Sequence, residues 1–83
     1  REQESLGRHQ QIRQRFADIS PRERDVLQLL VQGEPTKSIA RSLNLSTKTV
    51  EMHRSSLIRK TGAKSSTEIV QLAVLANIFD QTQ

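Results

Sequence analysis

The sequence predicts an all-α chain: a four-helix domain with a central helix-turn-helix, preceded by a partly helical linker. Three observations carry this expectation. Apolar residues recur at helical spacing in each periodic segment and nowhere alternate as a half-buried strand requires. Capping signals cut the chain into segments joined by short loops. A small residue, a turn residue and two apolar residues also fall at the spacing with which two crossing helices pack, as Ala40, Asn44, Leu45 and Val50.

The 83 residues make one domain with an appended segment. Residues 1–18 are rich in Gln, Arg and Glu, with Leu6, Ile12 and Phe16 as scattered apolar positions. They are expected to form an interdomain linker, helical in part, that docks on the domain or a partner, with a frayed tail as the alternative. The domain is expected over 19–79 and a short C-terminal tail over 80–83. Ser20-Pro21-Arg22-Glu23 is a capping box with proline at the first helical position. The Ser20 hydroxyl accepts from the Glu23 amide, and the Glu23 carboxylate accepts from the Ser20 amide. Val26, Leu27, Leu30 and Val31 follow at helical spacing, Gly33 supplies a left-handed cap and Pro35 prevents continuation, so the first core helix is expected from Pro21 to Gln32.

Thr36 is expected to cap a second, short helix whose inner face is Ile39, Ala40 and Leu43. Asn44 ends it, because asparagine tolerates the left-handed conformation of a tight turn. Ser46 caps a third helix over 47–61, with Val50, Leu57 and Ile58 inward and Gly62 as its end. Ser65 and Glu68 predict a second capping box, opening a fourth helix over 66–79. Ile69, Leu72, Ala73 and Ala76 form its core stripe, and Val70, Val74 and Ile78 form a second apolar stripe. One apolar face suffices for a small domain, so the second stripe is expected to be a homodimer interface. Burial of that stripe beneath the linker is the alternative.

The net charge of +4 is unevenly placed. Residues 1–35 hold six basic and six acidic side chains; residues 36–64 hold Lys37, Arg41, Lys48, Arg54, Arg59, Lys60 and Lys64 against Glu51 alone; residues 65–83 add Glu68 and Asp80. A basic block between neutral and acidic neighbours favours a polyanion, because each neutralised phosphate releases condensed counterions. A solvated lysine-rich face is the plain alternative.

Within that block the helix-turn-helix pattern is specific. Ala40 permits a close crossing, Asn44 makes the turn, Leu45 plugs the gap behind it, and Val50 locks the second helix. An αα-hairpin without nucleic-acid function is the competing explanation. At about 100° per residue, Leu57 and Thr61 lie on the same side of the third helix as Val50. Lys48, Met52, Ser55 and Arg59 lie opposite, with Glu51 at the edge. A major groove admits one α-helix, whose first turns meet the base edges. Lys48 can donate to guanine, Met52 can touch a thymine methyl, Glu51 can accept from cytosine and Ser55 can pair with several edges. Ser46, Thr47 and Thr49 lie at a helix N-terminus that favours anions, and His53, Arg54, Arg59 and Lys60 flank it as candidate DNA-backbone contacts. A second role for Arg54 stands beside this one: its stem at the core margin and its head paired with Glu23.

Several classes find no support. With no cysteine there is neither a disulfide framework nor a thiolate site, which fits a reducing cytosol. No apolar run reaches membrane-span length and no signal peptide is visible, so the expected location is cytoplasmic, nucleoid-associated when bound to DNA. The chain opens on Arg1 and holds one methionine, Met52, as expected of a piece of a longer protein. His53 and His9 lack neighbours at metal-ligand spacing, and no base is placed to activate a hydroxyl, so neither an enzyme nor a metal or cofactor site is expected.

The stretches Ile19–Leu27, Lys37-Ser38-Ile39-Ala40, Thr49–Arg54, Lys60 and Gly62-Ala63-Lys64-Ser65 resemble LuxR-type helix-turn-helix domains, over roughly Ile19 to Ala76. Lys37-Ser38 and Thr49–Arg54 look most like the FixJ/NarL-type response regulators, while Asn44 stands where the family usually has glycine. The resemblance implies an upstream receiver domain, phosphorylated by a sensor histidine kinase, with residues 1–18 as the connection. It also implies reading of double-stranded DNA by the third helix and dimerisation through the fourth. A symmetric dimer suits a palindromic operator, and RNA polymerase is a further candidate partner. Two other functions compete: a promoter-reading module like region 4 of a sigma factor, and a helical protein-interaction module that never touches DNA. The apolar fourth helix followed by Asp80 argues against the first, and the basic block against the second.

Overall fold

The computed structural model describes residues 10–79; Leu6 and the tail over 80–83 lie outside the described residues. A helical segment over 10–15 leads into four helices: α1 Pro21–Val31, α2 Thr36–Leu43, α3 Thr47–Thr61 and α4 Ser66–Leu75. Among the described residues there is no strand, and no helix is long and apolar enough to cross a membrane.

Each helix begins and ends for a local reason. Both halves of the capping box at α1 are present: Glu23 N donates to Ser20 Oγ at 3.1 Å and Ser20 N to Glu23 Oε1 at 2.8 Å. Past α1, Gly33 has φ +86°, and Gly33 N and Glu34 N donate to the carbonyls of Leu30 and Leu29. That pair of bonds is a Schellman closure, which satisfies carbonyls the helix itself leaves unpaired. The start of α2 differs from expectation. Pro35 occupies the cap position and no side chain caps it, while Thr36 is already the first helical residue. Its hydroxyl accepts instead from Arg54 of α3, at 3.4 Å.

Asn44 takes the left-handed conformation, φ 57° and ψ 46°, and Leu45 N donates back to Ala40 O at 2.8 Å. Ser46 caps α3 by accepting from Thr49 N at 3.0 Å, and Gly62 ends it with φ 77°. Ser65 likewise accepts from Glu68 N, but the expected reciprocal bond is absent. The Glu68 carboxylate accepts from Lys64 N instead, one residue further upstream, at 2.6 Å.

The end of α4 is the largest departure. The helix stops at Leu75 rather than near Phe79, because Asn77 turns left-handed with φ 53°. Ile78 N then donates to Ala73 O at 3.0 Å, and the Ile78 side chain folds back into the core at 9% exposed. Ile78 therefore leaves the second apolar stripe on which it was expected. Val70 is half-buried, whereas Val74 and its neighbour Leu75 are exposed.

The core gathers Val26 and Leu27 of α1, Ile39 and Ala40 of α2, Val50 and Leu57 of α3, and Ile69 and Ala73 of α4. Burying an aliphatic side chain of this size contributes about 1.5–3 kcal/mol. Ile58, expected inward, is only half-buried. Ile12 and Phe16 from the leading segment join this core. Arg13 Nη1 donates to the carbonyls of Ala76 and Asn77, and Arg24 Nη2 to that of Ile78. The Arg24 guanidinium also sits 4.8 Å from the centre of the Phe79 ring, a cation–π distance. Two arginines thus fasten the reversal after α4, one from the leading segment and one from α1.

Candidate nucleic-acid interface

The packing of α3 divides its side chains into two sets. Val50 and Leu57 are fully inside, and Thr61 is buried with its hydroxyl donating to Leu57 O at 2.7 Å. Ala40, at 6% exposed, lets α3 cross close to α2.

On the outward side, Lys48, Glu51, Met52, Ser55 and Arg59 are all exposed. Met52 is 63% exposed, an apolar side chain left in water among cations and hydroxyls. Among the described residues no hydrogen bond engages the Lys48 ammonium or the Ser55 hydroxyl, while Arg59 makes one long contact, to Ser56 Oγ at 3.4 Å. These positions share a shallow depression bordered by Thr49 and His53. Ser46 and Thr49 close the helix start on each other, Ser46 Oγ donating to Thr49 Oγ1 at 2.9 Å. Thr47 is exposed beside them and His53 is half-buried. The first turn therefore offers hydroxyls and helix-terminal amides, the setting in which an anionic oxygen binds.

On the flank facing α1, Glu23 is 6% exposed and its carboxylate accepts three hydrogen bonds. Its donors are Ser20 N, Lys60 Nζ at 2.9 Å and Ser56 Oγ at 2.5 Å, with Lys60 Nζ also donating to Asp18 O at 3.0 Å. Counted by donor, the carboxylate serves one amide, one hydroxyl and one ammonium. Burial opposes the charged form of Glu23, but the bonds from Ser56, Ser20 and Lys60 outweigh it and lower its pKa from 4.5 to about 2.

Two candidate DNA-backbone contacts have partners within the fold. Lys60, expected at a phosphate, donates to Glu23 and to Asp18 O. Arg54 does not reach Glu23; it pairs with Glu51 on its own helix and with Thr36 at the start of α2. The lysine takes the partner expected for the arginine because Glu23 lies beside the C-terminal half of α3, while Arg54 lies nearer α2. Ser56 had no assigned role. Its signal was available: Ser56 and Lys60 stand four apart on one face of α3, and a capping-box glutamate has a second oxygen to satisfy. Asn77 was also legible, since Asn77-Ile78 repeats the Asn44-Leu45 pattern of a left-handed asparagine followed by an apolar residue.

Comparison with known proteins agrees with this architecture. The family model described as bacterial regulatory proteins, luxR family, matches residues 17–73. The transcriptional regulatory protein FixJ of Rhizobium meliloti (strain 1021) is 46% identical over 63 residues, covering 76% of this chain and 31% of FixJ. The nitrate/nitrite response regulator protein NarL of Escherichia coli (strain K12) is 44% identical over 50 residues, 60% of this chain and 23% of NarL. A crystal structure of full-length FixJ from B. japonicum superposes with a TM-score of 0.81 at 38% identity, covering 93% of this chain and 38% of that one. The chain spans about a third of the length of the FixJ relatives it matches. On the helix-turn-helix geometry and on a family match that covers most of its residues, the chain belongs to the luxR family of bacterial regulatory proteins.

Proposed function

We propose that this chain is the sequence-specific, double-stranded-DNA-binding output domain of a transcriptional response regulator, with α3 as the recognition helix in the major groove. The observation that carries this is the outward face of α3: Lys48, Met52 and Ser55 exposed together on a helix whose crossing is fixed by Ala40, Asn44 and Val50. Glu51 completes the base-reading set. Ser46, Thr47, Thr49, His53 and Arg59 serve the DNA backbone, fixing register without carrying sequence information.

Homodimerisation through α4 accompanies DNA binding. Val74 and Leu75 are 62% and 55% exposed, and Val70 lies half-buried beside them. A two-fold arrangement sets two recognition helices about 34 Å apart, one turn of DNA, and so calls for a palindromic operator. Val74→Glu should dissociate the dimer in sedimentation and leave the helical circular dichroism unchanged; an unaltered sedimentation coefficient counts against this interface. By likeness to FixJ and NarL, an upstream receiver domain and a sensor histidine kinase control the domain in the cytoplasm, with RNA polymerase a further candidate partner.

Selection from a random duplex library at near-physiological salt tests the function. An enriched, two-fold symmetric motif, bound far more tightly than scrambled DNA, is the expected result. Weak, salt-sensitive binding without enrichment contradicts it.

A further inference from the structure

Glu51 is the single acidic residue within residues 36–64. It stands on the face assigned to DNA, where an unneutralised carboxylate is repelled by every nearby phosphate. Arg54 resolves this conflict. Its Nη2 donates to Glu51 Oε1, and its Nη1 to Thr36 Oγ1 at 3.4 Å. The Arg54 side chain is 24% exposed and that of Glu51 51% exposed, so the cation lies behind and the anion in front.

The guanidinium is a rigid planar fork, and here its two arms join two different helices. Thr36 opens α2, so the contact fixes Arg54 against a part of the helix-turn-helix that α3 does not carry with it. Holding Oε1 leaves Oε2 of Glu51 available as an acceptor. In the major groove cytosine presents its N4 amino group as a donor, and a carboxylate is the matching acceptor. A phosphate anchor needs its donors directed outward, whereas both Nη nitrogens of Arg54 donate within the protein, to Glu51 and Thr36.

We propose that Glu51 reads a cytosine, and that Arg54, steadied by Thr36, is the positioning residue that aims and charge-balances it rather than a phosphate anchor. This rests on the DNA-reading function proposed above and assigns one base position to one pair of side chains. The pair also explains why a basic recognition surface tolerates an acid at its edge.

The test repeats the library selection with the 83-residue chain and with Glu51→Gln, Arg54→Ala and Arg54→Lys. Preference for cytosine at one fixed position of each half-site is expected for the unaltered chain. Glu51→Gln and Arg54→Ala should each relax that position, by about tenfold, and leave the others intact. Combining them should add little further loss, since both remove one contact. Arg54→Lys keeps the charge without the fork and should recover part of the preference, which also guards against a variant that merely folds poorly. The combined variant, which removes one charge of each sign, should bind scrambled duplex with the salt dependence of the unaltered chain. If Arg54→Ala weakens all duplexes alike and flattens the salt slope by about one unit, Arg54 is a phosphate anchor and the proposal is overturned. A motif that Glu51→Gln leaves unchanged overturns it as well. Absence of any enriched motif for the unaltered chain instead overturns the DNA-reading function itself, and the proposal with it.

Discussion

Two faces of α3 carry the same kinds of side chain and use them differently. On the flank toward α1, Ser56 and Lys60 satisfy the buried carboxylate of Glu23. On the outward face, Lys48 and Ser55 have no partner among the described residues, and Met52 stands between them in water. A lysine and a serine on one face hold the fold; a lysine and a serine on the other hold nothing among the described residues. Positive charge therefore does not by itself mark a nucleic-acid contact. What distinguishes Lys48 from Lys60 is the presence of an internal acceptor, and that acceptor comes from a different helix.

The sharpest way to break this contrast is to remove the acceptor. Glu23→Ala deletes the capping-box carboxylate and leaves Ser20 N, Ser56 Oγ and Lys60 Nζ without their shared acceptor. With Lys60 still about a third exposed, the loss falls at the low end of that for a broken buried pair, about 3–4 kcal/mol in denaturant unfolding. A loss under about 1 kcal/mol, the range of surface pairs, would show that the network does not organise this flank of α3.

Acid offers the same test without mutation. The folded pKa of Glu23 is depressed from 4.5 to about 2, so folding favours the ionised carboxylate. Its stabilisation is complete above the unfolded value, falls as pH drops from about 4.5 and is gone below about 2. Urea unfolding midpoints measured across this window should decline, and Glu23→Gln should flatten that decline. An unchanged pH profile in the variant would assign the acid sensitivity to other carboxylates.

On the outward face, Lys48→Ala should leave stability within about 0.5 kcal/mol while costing about 1–3 kcal/mol on the selected operator. Equal losses on operator and scrambled duplex would remove its base-reading role and make Lys48 resemble an ordinary phosphate contact. The smallest effect separates two neighbours. Arg59→Ala should weaken all duplexes alike and reduce the salt slope by about one unit. Lys60→Ala should lower stability and change that slope little. The opposite pattern would place Lys60 on DNA and break the division of the helix.

How much of this was legible in the sequence follows the range of the interactions. The caps at Ser20, Ser46 and Ser65, the left-handed Asn44 and the inward Val50 and Leu57 are set within a turn or two of chain, and each is found where the spacing put it. The pairing of Glu23 with Lys60 spans 37 residues, and that of Arg54 with Thr36 spans 18. Helical spacing orders side chains around one helix but says nothing of which neighbour meets them. Ile78 makes the same point. Its helical phase put it beside Val74, yet the left-handed Asn77 broke the phase and returned it to the core.

The division of α3 is tested most directly by backbone amide NMR of the chain titrated with its selected duplex. Shifts and exchange protection should concentrate on residues 46–55 and on Arg59, with Ser56, Lys60 and Thr61 much less affected. A footprint centred on α1 or α4, or one covering Ser56 and Lys60 as strongly as the outward face of α3, would contradict the account.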